Sequence, residues 1–416
     1  MEYDMKIWFQ TGIWLNQGIN IYLPDNHLGY PPLWAFWCLS SYRIYSLFGN
    51  NTEVWRFFIK LPMLLSQFIL AFAMAKFAKK RFDEKITRKI FLSALTWIFF
   101  VYIGVLWGQL NMLSALLTFL AFYAVTSKRT LAGSGLLGIA VTLKIYPLIV
   151  LPVFLIFILK NRDKREAGKF GLITFALPIG FTFAVFAAYG WDILFFLKTI
   201  FYWTPVFDST PIQMQGGGMN VWSFMNLLNV DITQISVLRF IWIPVLAAAS
   251  FYWYRKPKMS EADFSLSLVS MYILFMITYV WIPEQAFLDP LPFIFLLIFG
   301  YQNKRGYLYA LVVIQILVFA FSAFNWGPFI FEPLIERFSP SSSGVIQFLD
   351  PSKSAFVWLC REMLGLAVSL SLGIFLVALA KPSIFELVKD KICKKISQRL
   401  SQKSKCLGYP QSIVEE

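Results

Sequence analysis

From residue 57 to residue 379 long apolar runs follow one another, separated by short basic segments, a polar turn and two longer loops. The runs cover about 57–78, 90–107, 110–127, 131–143, 145–159, 169–188, 236–254, 264–282, 287–300, 306–324 and 355–379. Burying this much contiguous apolar chain calls for a bilayer, and in a bilayer a helix satisfies its own backbone polar groups. Composition points the same way, because 58% of the residues are hydrophobic and only 14% are charged. The expectation is an all-α membrane protein, a multi-spanning bundle of about eleven helices over residues 56–379. The runs at 131–143 and 145–159 are short for a span. They flank Lys144 and Pro147 and read as short or broken helices.

Charge sets the expected orientation. Lys76, Lys79, Lys80, Arg81, Lys85, Arg88 and Lys89 share one inter-run segment, and Lys160, Arg162, Lys164, Arg165 and Lys169 share another. Arg255, Lys256 and Lys258 form a third group, with smaller ones at Lys128–Arg129 and Lys304–Arg305. Alternation across the runs puts all of these on one side, which the positive-inside rule makes cytoplasmic. The net charge of +14 therefore reports topology rather than nucleic-acid binding. Residues 380–416 read as a basic cytoplasmic tail, with Ile384, Leu387, Val388, Ile392, Ile396 and Leu400 at helical spacing for an amphipathic helix on the inner leaflet.

The opposite, external side receives residues 1–55 and loops near 108–111, 189–235 and 325–354. Residues 31–48 are apolar too, but they begin with two prolines, carry Arg43 and are rich in Trp34, Trp37, Tyr42 and Tyr45. That mixture suits a helix lying along the interface. His27 is the sole histidine, which removes histidine triads and histidine metal clusters. Cys38, Cys360, Cys393 and Cys406 have no metal-ligand spacing. No phosphate-cradling glycine motif stands where a strand could precede it, so a nucleotide-driven pump is not expected.

The candidate chemistry collects on the external side. Glu2 and Asp4 lie two apart and could act as a general base and its helper, although external acids are often merely solvated. Lys144 is costly at its depth and either meets a phosphate or snorkels to the interface. Glu284 and Gln285 end a membrane run, where polar residues also serve simply to close a helix. Arg56 could meet a phosphate or anchor a helix end. Gln109 and Asn111 tip a turn between two runs.

Taken in order, Glu2-Tyr3-Asp4, Gly18-Ile19-Asn20-Ile21-Tyr22, Tyr30-Pro31-Pro32-Leu33, Leu47-Phe48-Gly49, Gly108-Gln109-Leu110-Asn111 and Lys144-Ile145-Tyr146-Pro147 resemble the motifs of polytopic GT-C glycosyltransferases. Asn220-Val221-Trp222 and Glu284-Gln285 are weaker echoes. The likeness covers roughly residues 2–290. It is strongest to the mannosyltransferases that add the first mannose in GPI-anchor synthesis and to GT87-like prokaryotic mannosyltransferases.

The resemblance implies a GT-C-like bundle whose external first loop contains juxtamembrane helices and carries the catalytic acid near its start. It implies transfer of a hexose, mannose, from a polyprenyl (dolichyl-type) phosphate donor to a glycolipid or lipid-linked or cell-envelope glycan, with inversion. Mapped here, Asp4 is the base and Glu2 supports it, with Glu2 replacing an aspartate of the family motif. Lys144, Tyr146, Arg56, Glu284 and Gln285 would meet the donor phosphate or sugar. Tyr30, Gln109, Asn111, Asn220 and Trp222 would line the cavity or the acceptor site. A divalent cation stays open, since some members hold metal beside the acidic motif and others do not need it.

The compartment implied is the plasma membrane in a prokaryote or the endoplasmic reticulum in a eukaryote. The family also places a membrane helix before its acidic motif, so an in-frame upstream hydrophobic run of about 20 residues is expected. A transporter or flippase of lipid-linked sugars is the alternative. It is disfavoured because no clear internal repeat is present and the candidate residues gather on one face rather than at mid-bilayer.

Overall fold

The structure is a computed structural model. It describes residues 2–23, 30–197 apart from 195, 217–228, 240–325 apart from 280 and 303, and 354–381. The basic tail beyond 381, the loop 326–353 and most of the loop 189–235 lie outside the described residues, as do the side chains of Glu2 and Tyr3.

The chain is an all-α multi-spanning membrane protein. Among the described residues six helices are long and apolar enough to cross a membrane, or seven if the pair Glu84–Thr96 and Phe100–Leu106, bent by 45°, is one span. The elements run α1 (Glu2–Asn16), α2 (Pro32–Leu47), α3 (Thr52–Lys79), α4 (Glu84–Thr96), a π-helical turn (Phe100–Leu106), α5 (Asn111–Thr126) and α6 (Thr130–Leu143). A 3-10 turn (Tyr146–Val150), α7 (Leu151–Asn161) and α8 (Lys164–Tyr189) follow. Then come α9 (Trp222–Leu227), α10 (Trp242–Arg255), α11 (Glu261–Thr278), a second 3-10 turn (Glu284–Leu288) and α12 (Leu291–Phe295), which runs on as a π-helical segment (Leu296–Tyr301). α13 (Arg305–Asn325) and α14 (Ala355–Ala380) complete the series.

The first two helices form a hairpin against the bundle. Trp8 and Trp34 are fully buried and meet edge-on at 5.1 Å, while Phe9 packs on Tyr42, Tyr45 and Trp55. The two helices approach so closely at Gly12 that a Cβ there would stand 2.7 Å from the Cys38 carbonyl oxygen and 2.7 Å from the Tyr42 Cβ. α2 has 16 residues and is not among the helices long enough to cross. It carries Pro32 in its first turn, where the missing N–H costs nothing.

Aromatic packing holds the centre. Phe77, Phe119, Phe122, Phe264 and Phe293 pack together from α3, α5, α11 and α12. Phe157 of α7 stacks on Phe264 at 4.2 Å. At the basic end Arg81 pairs with both carboxylate oxygens of Glu261, and Lys256 pairs with Asp263, tying the end of α3 and the end of α10 to the start of α11. Ser260 and Asp263 form a capping box that starts α11.

The helix breaks are where the site arises. Lys144 ends α6 in an extended conformation, φ −153° and ψ 136°, before the turn at Tyr146. The break expected from the two short runs is therefore there. The segment 217–222 clamps the chain after α11. Gly217 and Gly218 pair in parallel with Trp281 and Ile282, and Val221 N donates to Ile277 O at 3.0 Å.

Candidate active site

Four chain segments bring their polar side chains to one place. α1 carries Asp4 in its first turn; the Trp8–Trp34 contact pins α1 to α2, and Phe9 meets Trp55 of α3. Two residues past the π-helical turn, Gly108 with a φ of +84° turns the chain so that Gln109 and Asn111 follow in quick succession. Gln109 Nε2 donates to Asp4 Oδ2 at 2.8 Å. Asn111 stands at the start of α5, and its Oδ1 accepts from Lys144 Nζ at 2.7 Å.

The ammonium of Lys144 is framed by aromatic rings. Its Nζ lies 4.9 Å from the centre of the Tyr146 ring and 5.7 Å from that of Tyr30. Such rings favour a cation through their negative faces, the more so where water is excluded. Lys144 is 7% exposed, so snorkelling to the interface does not describe it. The opposite charges of Asp4 and Lys144 lie within electrostatic reach of each other.

Asp4 itself titrates above the ordinary aspartate range. Burial raises its carboxyl, and the hydrogen bond from Gln109 and the charge of Lys144 pull the other way. A carboxylate raised in this way is a stronger base at neutral pH than a solvated one.

One residue of the cluster was not singled out from the sequence. Asp289 lies between the 3-10 turn at Glu284–Leu288 and α12, and it is 1% exposed. Its Oδ2 accepts from Asn111 Nδ2 at 2.6 Å and its Oδ1 from Ser114 Oγ at 2.8 Å. The available signal was an acid followed by a proline inside an apolar run, Leu288-Asp289-Pro290.

The remaining expected residues are more dispersed. Glu284 and Gln285 are buried on the turn that leads to Asp289, and Glu284 lies within electrostatic reach of the Tyr102 phenol. Asn220 Nδ2 donates to the Tyr279 carbonyl at 2.8 Å, and Trp222 Nε1 donates to the Thr278 carbonyl at 2.8 Å. Both side chains therefore hold the end of α11. Tyr279 in turn packs edge-on to Tyr146 at 6.4 Å, which places this clamp one layer behind Lys144. Arg56 is half-exposed and pairs with Glu53 at 2.7 Å. Its neighbour Lys60 donates to the Leu106 carbonyl at 2.6 Å, so that lysine anchors the turn before Gly108. Among the described residues no group of three or more His, Cys, Asp or Glu side chains could hold a metal ion.

Glycosyltransferase family 87 matches residues 30–278, well over half of the chain. The chain belongs to glycosyltransferase family 87. It is thus an integral-membrane glycosyltransferase, and the transporter alternative falls away. No curated protein matches the chain. The match includes Tyr30, Gln109, Asn111, Lys144, Tyr146, Asn220 and Trp222, while Asp4, Glu284, Gln285 and Asp289 lie beyond its ends.

Proposed function

We propose that this family 87 glycosyltransferase moves a hexose, mannose, from a polyprenyl-phosphate donor to a lipid-linked or cell-envelope glycan acceptor, with inversion at the anomeric carbon. One observation carries the reading. The carboxylate of Asp4 and the ammonium of Lys144 are held by Gln109 and Asn111, two residues apart on a single turn. A base and a cation fixed to one turn suit a displacement that takes a proton at one end and releases an anion at the other.

Asp4 accepts the proton of the acceptor hydroxyl. The acceptor oxygen attacks the anomeric carbon from the face opposite the phosphate, and the bond from that carbon to the phosphate oxygen breaks. The lipid phosphate leaves with one more negative charge than it had as a diester. Lys144 stabilises the charge as it develops, in surroundings poor in water where a fixed cation acts strongly. Tyr30 and Tyr146 keep the ammonium in place from its sides. Glu284 and Gln285 face the donor sugar, and Asn220 and Trp222 support the wall behind Tyr146.

Mannose rests on the resemblance to the GPI and GT87-like mannosyltransferases. The topology that goes with this reading has residues 1–55 external, about eleven helices crossing between 56 and 379, and residues 380–416 cytoplasmic. Transfer of radiolabel from polyprenyl-phosphate mannose in membranes tests the donor. Label incorporated by the wild-type chain supports it, and incorporation solely from nucleotide sugars would refute it.

A further inference from the structure

Asp289 takes no part in the chemistry above, yet it is a buried acid in an apolar segment. An unpaired buried charge is costly, so its surroundings say what it is for. Its two oxygens accept from Asn111 and Ser114. Asn111 stands between two groups of fixed hydrogen-bonding character. A carboxylate can only accept and an ammonium can only donate, so the Asn111 amide has one workable orientation, with its N–H₂ toward Asp289 and its oxygen toward Lys144.

We propose that Asp289 is a positioning residue for the donor site: through the Asn111 amide it aims the Lys144 ammonium at the lipid phosphate and offsets its charge without pairing with it directly. The inference rests on the proposed role of Lys144. The spacing is what matters chemically. A carboxylate in direct contact with Lys144 would have to be displaced, or left facing another anion, when a phosphate arrives. Placed one amide away, Asp289 still acts on the ammonium through space without touching it. Among the described residues the Asn111 oxygen takes one of the three N–H donors of Lys144. Ser114 fixes the other oxygen of Asp289, so the carboxylate cannot swing toward the lysine without losing that bond.

Undecaprenyl phosphate binding to the purified full chain in detergent tests this without knowledge of the sugar. Lys144→Met is expected to lose most of the affinity. Unchanged affinity in that variant would overturn the role of Lys144 and the inference built on it. Asp289→Asn keeps the shape of the network, because the amide it introduces can accept from Asn111 and donate to Ser114. It no longer dictates the orientation of the Asn111 amide, because an amide offers a donor as readily as an acceptor, and binding is expected to weaken several-fold through that loss of aim.

The decisive variant carries Asn111→Asp together with Asp289→Asn. It keeps one acid, one amide and complementary hydrogen bonds, so its thermal midpoint is expected to stay near that of the wild type, but it puts the acid directly on Lys144. Weak phosphate binding in a stable double variant is the expected result. Wild-type affinity in the double variant, with Lys144→Met still impaired, would show that the network is merely structural and overturn the role of Asp289.

Discussion

Gln109 Nε2 donates to Asp4 Oδ2 at 2.8 Å across 105 residues of chain. The bond ties the first helix to the turn that also carries Asn111, and through Asn111 to Lys144. It does two things to Asp4. It fixes where the carboxylate points, and it favours the ionised form against the burial that disfavours it.

Removing that bond should shift the pH profile. A base works when deprotonated, so transfer falls on the acid side as pH drops through the Asp4 pKa, which lies above the ordinary value for aspartate. Gln109→Leu removes a contribution that lowers the pKa, so the acid limb moves to higher pH. A shift of about one pH unit corresponds to a hydrogen bond worth about 1.4 kcal/mol to the ionised form. Initial rates of transfer measured from pH 4 to pH 8 check this, and an unmoved acid limb would separate Asp4 from the titration.

Lys144→Met should raise the donor KM far more than the acceptor KM, and it should also slow the chemical step. Methionine keeps the length of the side chain and loses its charge, so the packing between Tyr30 and Tyr146 survives. Steady-state rates with each substrate varied in turn provide the check. Equal effects on both substrates would place Lys144 away from the phosphate.

Gly12→Ala should destabilise the first hairpin. Its Cβ would press on the Cys38 carbonyl and the Tyr42 Cβ at 2.7 Å, well inside contact distance. Overpacking of this kind costs about 1–3 kcal/mol. Because α1 carries Asp4, transfer should fall along with the thermal midpoint, while Gly135→Ala, where a Cβ meets nothing within 4 Å, should leave both unchanged. Thermal unfolding in detergent distinguishes the two variants.

Arg81→Ala should loosen the basic end of the bundle without touching the site. Arg81 meets both oxygens of Glu261 and lies 3.8 Å from the centre of the Phe77 ring. Its loss leaves a partly buried carboxylate facing fewer donors, so a lower thermal midpoint with an unchanged donor KM is expected. A changed donor KM would mean that the two ends of the bundle are coupled.

The apolar runs made the helices legible, and the break at Lys144 was legible because two runs were too short on either side of it. Asp4, Lys144, Gln109 and Asn111 were legible as polar residues outside or at the ends of the apolar runs, and Tyr30 and Tyr146 through the motifs that carry the resemblance. Their joining was not. Sequence gives no distance between Asp4 and Gln109, which come from different ends of a long loop closure. Asp289 was hidden for a different reason. It lies in a run read by its overall apolar character, and one acid does not change such a reading. The buried pair Arg361 and Glu362 was hidden in the same way inside α14, where Asn226 also donates to Glu362 at 3.2 Å. The helical form of Glu2–Asn16 is not legible in the sequence because its apolar face is a few aromatic residues rather than a periodic stripe. Those aromatics, Trp8 and Phe9 among them, pack α1 against α2 and α3.

The most direct measurement is transfer from a polyprenyl-phosphate sugar by Asp4→Asn in membranes where the variant is present at the wild-type level. Asparagine preserves the size of the side chain and a hydrogen bond with Gln109, and it cannot take a proton from the acceptor. The prediction is loss of transfer with donor binding retained. Wild-type rates in Asp4→Asn would contradict the assignment of Asp4 as the base.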